Sequence, residues 1–309
     1  IKRKRRNRQL EREESNDQRK FNLFRNKHLG ISEKTYFSYK ELSENPPTAD
    51  VYIAGSDTVW DFLNRKDIKR TLPLCRAYFL DFGNPKAVRM SYAASINAVS
   101  IYKDVLETIS QYLKNFRYIT VREKQSLAIL KNDSLPVAEW VCDPTLLHNA
   151  GVYRGIYKKE MANQEYGKYC LLYKINESGN FSTKKLYKWA EKRGLKVIYA
   201  GEGQTDHYKK NNASVFEWLS LVDNAECVIT NSYHGACFSI IFRKNFAVFP
   251  LTGEFKNANI RFNSLFEILE VEERFIFKND LSVLDKPIDW ESVEQKINCF
   301  QADNVLLRL

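Results

Sequence analysis

From residue 49 onward, short apolar and β-branched runs alternate with longer stretches in which apolar residues recur every three or four positions. The short runs predict buried strands over 49–54, 87–93, 118–121, 137–142, 169–173, 195–200, 227–230 and 246–249. The longer stretches predict amphipathic helices. Ile101, Val105, Leu106, Ile109, Tyr112, Leu113 and Phe116 mark one over 102–115, and others are predicted over 122–130, 181–193, 215–224, 236–243, 261–270 and 288–300. Residues 77–82 (AYFLDF) form a further short apolar run, and 1–29 read as a polar, basic helix. Asn45-Pro46-Pro47 is a firm break at the end of a loop-rich connector. Strand and helix alternate in both halves, so the expected fold class is α/β: two Rossmann-like domains facing a cleft.

Residues 146–166 have weak periodicity with scattered glycine and tyrosine, and read as a linker between domains. The expected organisation is a basic helical arm and connector over 1–48, an N-terminal domain over 49–150, a C-terminal domain over 167–285, and a last helix over 286–309. The length of 309 residues suits two domains of ordinary size, and a hydrophobic fraction of 44% supplies their cores. The six cysteines are scattered without a C-x-x-C pair, which argues for a reducing, cytoplasmic compartment and against a disulfide framework or a zinc site. No apolar run approaches the ~20 residues needed to span a bilayer. The chain begins at Ile1 rather than methionine, which reads as a fragment. Net charge is +10, and the first twenty residues hold nine Lys/Arg against four Asp/Glu. Such a run is a solvated helix face, or it binds an anionic membrane surface or nucleic acid.

Two polar turns follow predicted strands, where open α/β sheets bind ligands. The first is Gly55-Ser56-Asp57-Thr58, followed by Trp60. Asp57 either caps a following helix or accepts a proton from a hydroxyl as a general base. Trp60 either stacks on a sugar or packs in the core. The second turn is Asn231-Ser232-Tyr233-His234-Gly235, between a strand and a helix, where unpaired N–H groups and the helix dipole favour an anion. His234 either caps that helix or donates to a phosphate or carboxylate and carries a proton. Arg122 and Arg261 open predicted helices, each as a structural ion pair or as a partner for an anion. There is no phosphate-binding G-x-x-x-x-G-K-[ST] loop, no G-x-G-x-x-G after a strand and no G-x-S-x-G elbow. Gly201-Glu202-Gly203 lacks the third glycine, and the four histidines have no metal-ligand spacing. A nicotinamide dehydrogenase, a P-loop kinase, a serine hydrolase and a zinc enzyme are thereby disfavoured.

Six motifs then stand in a recognisable order: GSDTVW (55–60), YFLDF (78–82), SYAAS (91–95), VREK (121–124), CDPTLL (142–147) and VITNSYHGACFSIIF (228–242). Together they resemble the polysaccharide pyruvyl transferase family, from about residue 20 to near the end of the chain. The N-terminal strand and helix usual in that family are not in this sequence. The resemblance implies a GT-B-like fold and transfer of a pyruvyl group from phosphoenolpyruvate to two sugar hydroxyls. The product is a cyclic ketal and phosphate is released. It implies no cofactor beyond the phosphoenolpyruvate donor, and a glycan or lipid-linked oligosaccharide acceptor of the kind used in capsule or exopolysaccharide biosynthesis. The enzyme is then expected in the cytoplasm, peripheral to the inner face of the plasma membrane. His234 and Asp57 are the expected acid and base. Asn231, Ser232, Tyr233, Gly235, Arg122 and Arg261 are expected at the donor, and Gly55, Ser56 and Trp60 at the acceptor. Several members carry arginine two residues before the histidine. Here that place is Ser232, and Arg261 is the candidate for the missing charge. The rival readings are a nucleotide-sugar glycosyltransferase of the same fold and a polymer binder working through the basic arm. The arm is the only concentrated basic run and no nucleic-acid motif accompanies it, so nucleic acid is not an expected partner.

Overall fold

The structure, a computed structural model, describes residues 19–64, 75–131, 135–161, 164–175, 181–201, 212–277 and 279–302. Most of the basic arm, the 202–203 part of the glycine loop and His207 lie outside these. The described residues form two compact units. One draws on Lys34–Leu147, Glu254–Glu272 and Asp289–Leu309; the other on Ile1–Glu33, His148–Gly253 and Glu273–Ile288.

In the first unit, β1 (Val51–Ala54) pairs in parallel with β2 (Val88–Ser91), and β3 (Ile119–Val121) pairs in parallel with β4 (Ala138–Trp140). Single bridges at Met90–Tyr118 and Ala94–Val121 join the two pairs, so the strand order is β1-β2-β3-β4. Side chains complete this seam. Ser91 Oγ donates to Thr120 O (3.0 Å) and accepts from Thr120 N (2.9 Å), while Thr120 Oγ1 donates to Ser91 O (2.9 Å). The helix Lys103–Leu113 covers the sheet with Val105, Ile109 and Leu113, which stand four apart and are all buried. Trp60, Phe79 and Phe116 fill the same core. The apolar run at 77–82 makes no strand. It starts in helix and leaves through a turn, where the buried guanidinium of Arg89 donates to the carbonyls of Leu80, Phe82 and Asn84. Two late segments belong to this unit: the helix Ile260–Leu269, whose Ser264 Oγ accepts from Lys124 N, and the helix Trp290–Ala302, whose Gln301 donates to Leu146 O.

In the second unit, β5 (Tyr169–Lys174), β6 (Lys196–Gly201), β7 (Cys227–Thr230) and β8 (Asn245–Val248) form one parallel sheet in the order β6-β5-β7-β8. The chain goes outward from β5 to β6, then crosses back to place β7 on the other side of β5. A ligand crevice belongs at the carboxyl ends of β5 and β7, where the order reverses. The predicted linker contains a helix, Ala150–Glu160. Its glycines, Gly151 and Gly155, and its single buried side chain, Tyr157, hide the period. Asn149 starts it by accepting from the N–H groups of Gly151 and Val152. Arg154 then grips Asp223 through two bonds (2.8 and 2.7 Å) and Tyr157 donates to the same carboxylate (2.7 Å), which ties this helix to Val215–Asp223. Burial raises the Asp223 carboxyl, but the Arg154 and Tyr157 bonds outweigh it and hold the group below its ordinary value. Among the described residues no helix is long and apolar enough to cross a membrane.

Candidate functional site

The expected site residues fall into two clusters, one in each unit. In the β5–β8 unit, Asn231–Gly235 leads from β7 into the helix Tyr233–Ile241. Ser232 is the cap: its Oγ accepts from Gly235 N, and its own N–H donates to Thr230 Oγ1 at 2.9 Å. His234 therefore does not cap the helix. Asn231 is fully buried, and its carboxamide is pinned to the residue that leaves β5, accepting from Ile175 N (2.7 Å) and donating to Ile175 O (2.5 Å). The Asn231 and Ser232 side chains thus shape the switch point from within, and Tyr233 is buried as well. From Cys227 to Ile240, His234 alone is not buried. Gly235 is dictated by packing, because a Cβ there would lie 2.4 Å from Thr230 Oγ1 and 3.0 Å from Tyr173 Cδ1. Glycine lets the helix approach the sheet at the crevice, as in the close helix–strand contacts of nucleotide-binding folds.

In the β1–β4 unit, the turn after β1 carries Gly55, Ser56 and Asp57 to the surface. A Cβ on Gly55 would meet nothing within 4 Å. Asp57 has φ +67°, in the left-handed region, and is held there by Ser95 N donating to its carbonyl (3.0 Å). The next described element is a single 3-10 turn, Asp61–Asn64, and among the described residues the Asp57 carboxylate caps no helix. It faces two guanidinium groups instead: Arg122 Nη2 at 3.4 Å and Arg261 Nη1 at 3.9 Å, both on Oδ1. The Arg122 side chain is completely buried. Its Nη1 donates to Asp143 Oδ2 at 2.8 Å, and its Nε lies 3.6 Å from Glu123 Oε1. Asp143 also accepts from Ser56 Oγ (3.0 Å) and, on its other oxygen, from Thr145 N and Oγ1. Glu123, also buried, accepts from the hydroxyls of Ser95 and Ser126.

Two of the expected roles change. Trp60, expected at the acceptor, is 0% exposed; its ring packs on Phe79 and Phe116 and its Nε1 donates to Tyr78 O, so it has no face for a sugar. Arg122, expected at the donor, is sealed among three carboxylates and cannot reach a ligand directly. Arg261 is 7% exposed and lies beside Asp57, in the same cluster. Two arginines here face three acids, so the cluster carries no surplus positive charge. Asp143 and Glu123 were missed as members. The motif spacing held the signal: Asp143 directly follows a predicted strand, Glu123 stands second after one and Asp57 third. Among the described residues, no three His, Cys, Asp or Glu side chains are grouped as metal ligands.

Residues 4–251 match the family model described as Polysaccharide pyruvyl transferase. No curated protein matches the sequence significantly. Among solved structures, UDP-GlcNAc 2-epimerase from Neisseria meningitidis bound to UDP-GlcNAc aligns over 88% of this chain and 79% of its own, at 10% identity and a TM-score of 0.42. The Methanocaldococcus jannaschii enzyme in complex with UDP-GlcNAc and UDP aligns over 86% and 72%, at 13% identity and 0.42. The Rickettsia bellii UDP-N-acetylglucosamine 2-epimerase aligns over 87% and 77%, at 12% and 0.38.

Proposed function

Because the chain belongs to the polysaccharide pyruvyl transferase family, we propose that it moves a pyruvyl group from phosphoenolpyruvate to two hydroxyls of one sugar, forming a cyclic ketal. The observation that carries the roles is the exposure pattern at the switch point, where His234 is the one side chain from Cys227 to Ile240 that is not buried. His234 gives its proton to the methylene carbon of phosphoenolpyruvate, which leaves an electrophilic carbon bearing the phosphate. A sugar hydroxyl adds to that carbon and loses its proton to Asp57. A second hydroxyl then displaces phosphate, its proton leaving with the departing phosphate, and closes the ring. The N-terminal N–H groups of the helix Tyr233–Ile241 suit the donor's anionic groups. The acceptor is a sugar of a cell-surface polysaccharide or of its lipid-linked precursor. A lipid-linked acceptor would bring the enzyme to an anionic membrane surface, which the basic run in residues 1–20 suits.

The test is phosphate release from phosphoenolpyruvate with a panel of lipid-linked and synthetic glycans. Release with at least one glycan is expected, and His234→Asn should lower it by about 10²–10⁴-fold, the usual worth of a positioned acid. No release with any glycan, together with turnover of a nucleotide sugar, would replace this reading with a glycosyltransferase.

A further inference from the structure

We propose that Asp143 is a positioning residue: through the buried Arg122 it fixes the 55–58 turn and the Asp57 carboxylate at its tip. The proposal rests on the reading that Asp57 acts on the acceptor hydroxyl.

The exits of all four strands of the β1–β4 unit contribute to one connected polar network. The β1 exit supplies Ser56 and Asp57, the β2 exit Ser95, the β3 exit Arg122 and Glu123, and the β4 exit Asp143. Arg261 joins from the helix Ile260–Leu269. Arg122, Glu123 and Asp143 have side chains at most 1% exposed and Arg261 8%, whereas Asp57 is 59% exposed. The charges are therefore buried everywhere except at Asp57. Burying an arginine with carboxylates is a poor way to gain stability, since apolar side chains of similar volume commonly do as well or better. Such a network does hold one geometry closely. What it holds is a turn with a left-handed aspartate, a conformation that needs outside support in a non-glycine residue.

Asp143 is the anchor, because it touches the turn by two routes. Its Oδ2 accepts from Ser56 Oγ directly and from Arg122 Nη1, whose other terminal nitrogen reaches Asp57. Its Oδ1 is fixed by Thr145 N (3.0 Å) and Thr145 Oγ1 (2.8 Å), so the carboxylate cannot rotate away. Asp143→Asn keeps the shape and the Thr145 bonds but turns an NH₂ toward Arg122 and Ser56. Arg122→Lys keeps the charge but leaves one nitrogen where two are needed to bridge Asp57 and Asp143.

Both variants, with Asp57→Asn beside them, are assayed for phosphate release from phosphoenolpyruvate with an accepting glycan, and their crystal structures are solved. We expect kcat to fall by about 10²-fold, as for a reacting group displaced by roughly 1 Å. The KM for phosphoenolpyruvate should change less than about threefold, because uniform binding is untouched. The 55–58 turn should move in the crystals. Wild-type kcat and an unmoved turn in both variants would overturn the proposal. If Asp57→Asn keeps full turnover, the reading that Asp57 acts fails, while displacement of the turn in Asp143→Asn still decides the positioning role. Should both variants fail to fold, Ser56→Ala removes one bond at a half-buried position. A loss of kcat with unchanged KM supports the proposal there, and wild-type kinetics overturn it.

Discussion

Replacing Gly235 with alanine should destabilise the β5–β8 unit, against the ordinary preference for alanine in a helix. In a typical helix interior the change gains about 1 kcal/mol. Here the new Cβ would lie 2.4 Å from Thr230 Oγ1, 3.0 Å from Tyr173 Cδ1 and 3.1 Å from Thr230 Cβ. Either the helix Tyr233–Ile241 lifts off the sheet or Thr230 changes rotamer and releases Ser232 N, which donates to it at 2.9 Å. Overpacking of this kind costs about 1–3 kcal/mol, and a buried N–H left without its acceptor costs about another 1–3. Subtracting the propensity gain leaves a net loss of about 1–5 kcal/mol, or a fall in Tm of about 2–20 °C for a unit of this size. The assay is thermal unfolding of four proteins: wild type, Gly235→Ala, Thr230→Ala and the double variant. The overlap is chiefly with the Thr230 side chain, so the alanine at 235 should cost much less in the Thr230→Ala background, with a coupling of at least about 1 kcal/mol. Equal costs in the two backgrounds, or a Tm for Gly235→Ala within a degree of wild type, would refute the packing account of this glycine.

The Asp223 carboxyl is held below its ordinary value, so its contribution to stability is fully present above the unfolded carboxylate range near ~3.9. It is lost as pH falls through the folded value. The Tm gap between wild type and Asp223→Asn should thus be constant from about pH 5 to 7 and shrink below about pH 4. A gap that widens on acidification would contradict the Arg154 and Tyr157 pairing as its source. Trp60→Phe should lower Tm through lost packing and the lost bond to Tyr78 O, yet leave the KM for any accepting glycan unchanged; a raised acceptor KM would restore Trp60 to the surface. Arg274→Met should loosen the 283–287 segment, whose Val283, Lys286 and Pro287 carbonyls the buried guanidinium holds at 2.9–3.1 Å. Faster proteolysis there, with β8 still protected in hydrogen exchange, is the expected pattern, and unchanged proteolysis would refute it.

How much of this was legible depends on how local the cause is. β7 was read residue for residue, because Cys227–Thr230 is an apolar run buried on both faces and bounded by polar residues. The helix Tyr233–Ile241 begins three residues earlier than its apolar period suggested, since Ser232, not a residue nearer Ala236, supplies the cap. The helix Ala150–Glu160 escaped because it buries one side chain and so carries almost no period. The β1–β4 site was half legible. Two small-polar turns after strands pointed to Asp57 and His234 as the ones to examine. The partners of Asp57 come from 65 residues away for Arg122 and still farther for Arg261, and no local pattern encodes such pairings. Trp60 illustrates the converse error, where a motif residue beside the 55–58 turn was dictated by the core.

The assignment of Ile260–Leu269 to the β1–β4 unit has a consequence for the life of the protein before it leaves the ribosome. Ser264 meets Lys124 across 140 residues of chain. At a synthesis rate of roughly 5–20 residues per second, that separation is about 7–28 s of translation. For most of that interval, once β4 and Asp143 have been made, the β1–β4 strands exist without the helix that brings Arg261, and Asp57 has Arg122 as its partner without Arg261. A nascent chain, or one truncated before this helix by a premature stop, therefore holds the Asp57 turn without its second counter-charge, and the turn is completed only once Ile260–Leu269 has been made.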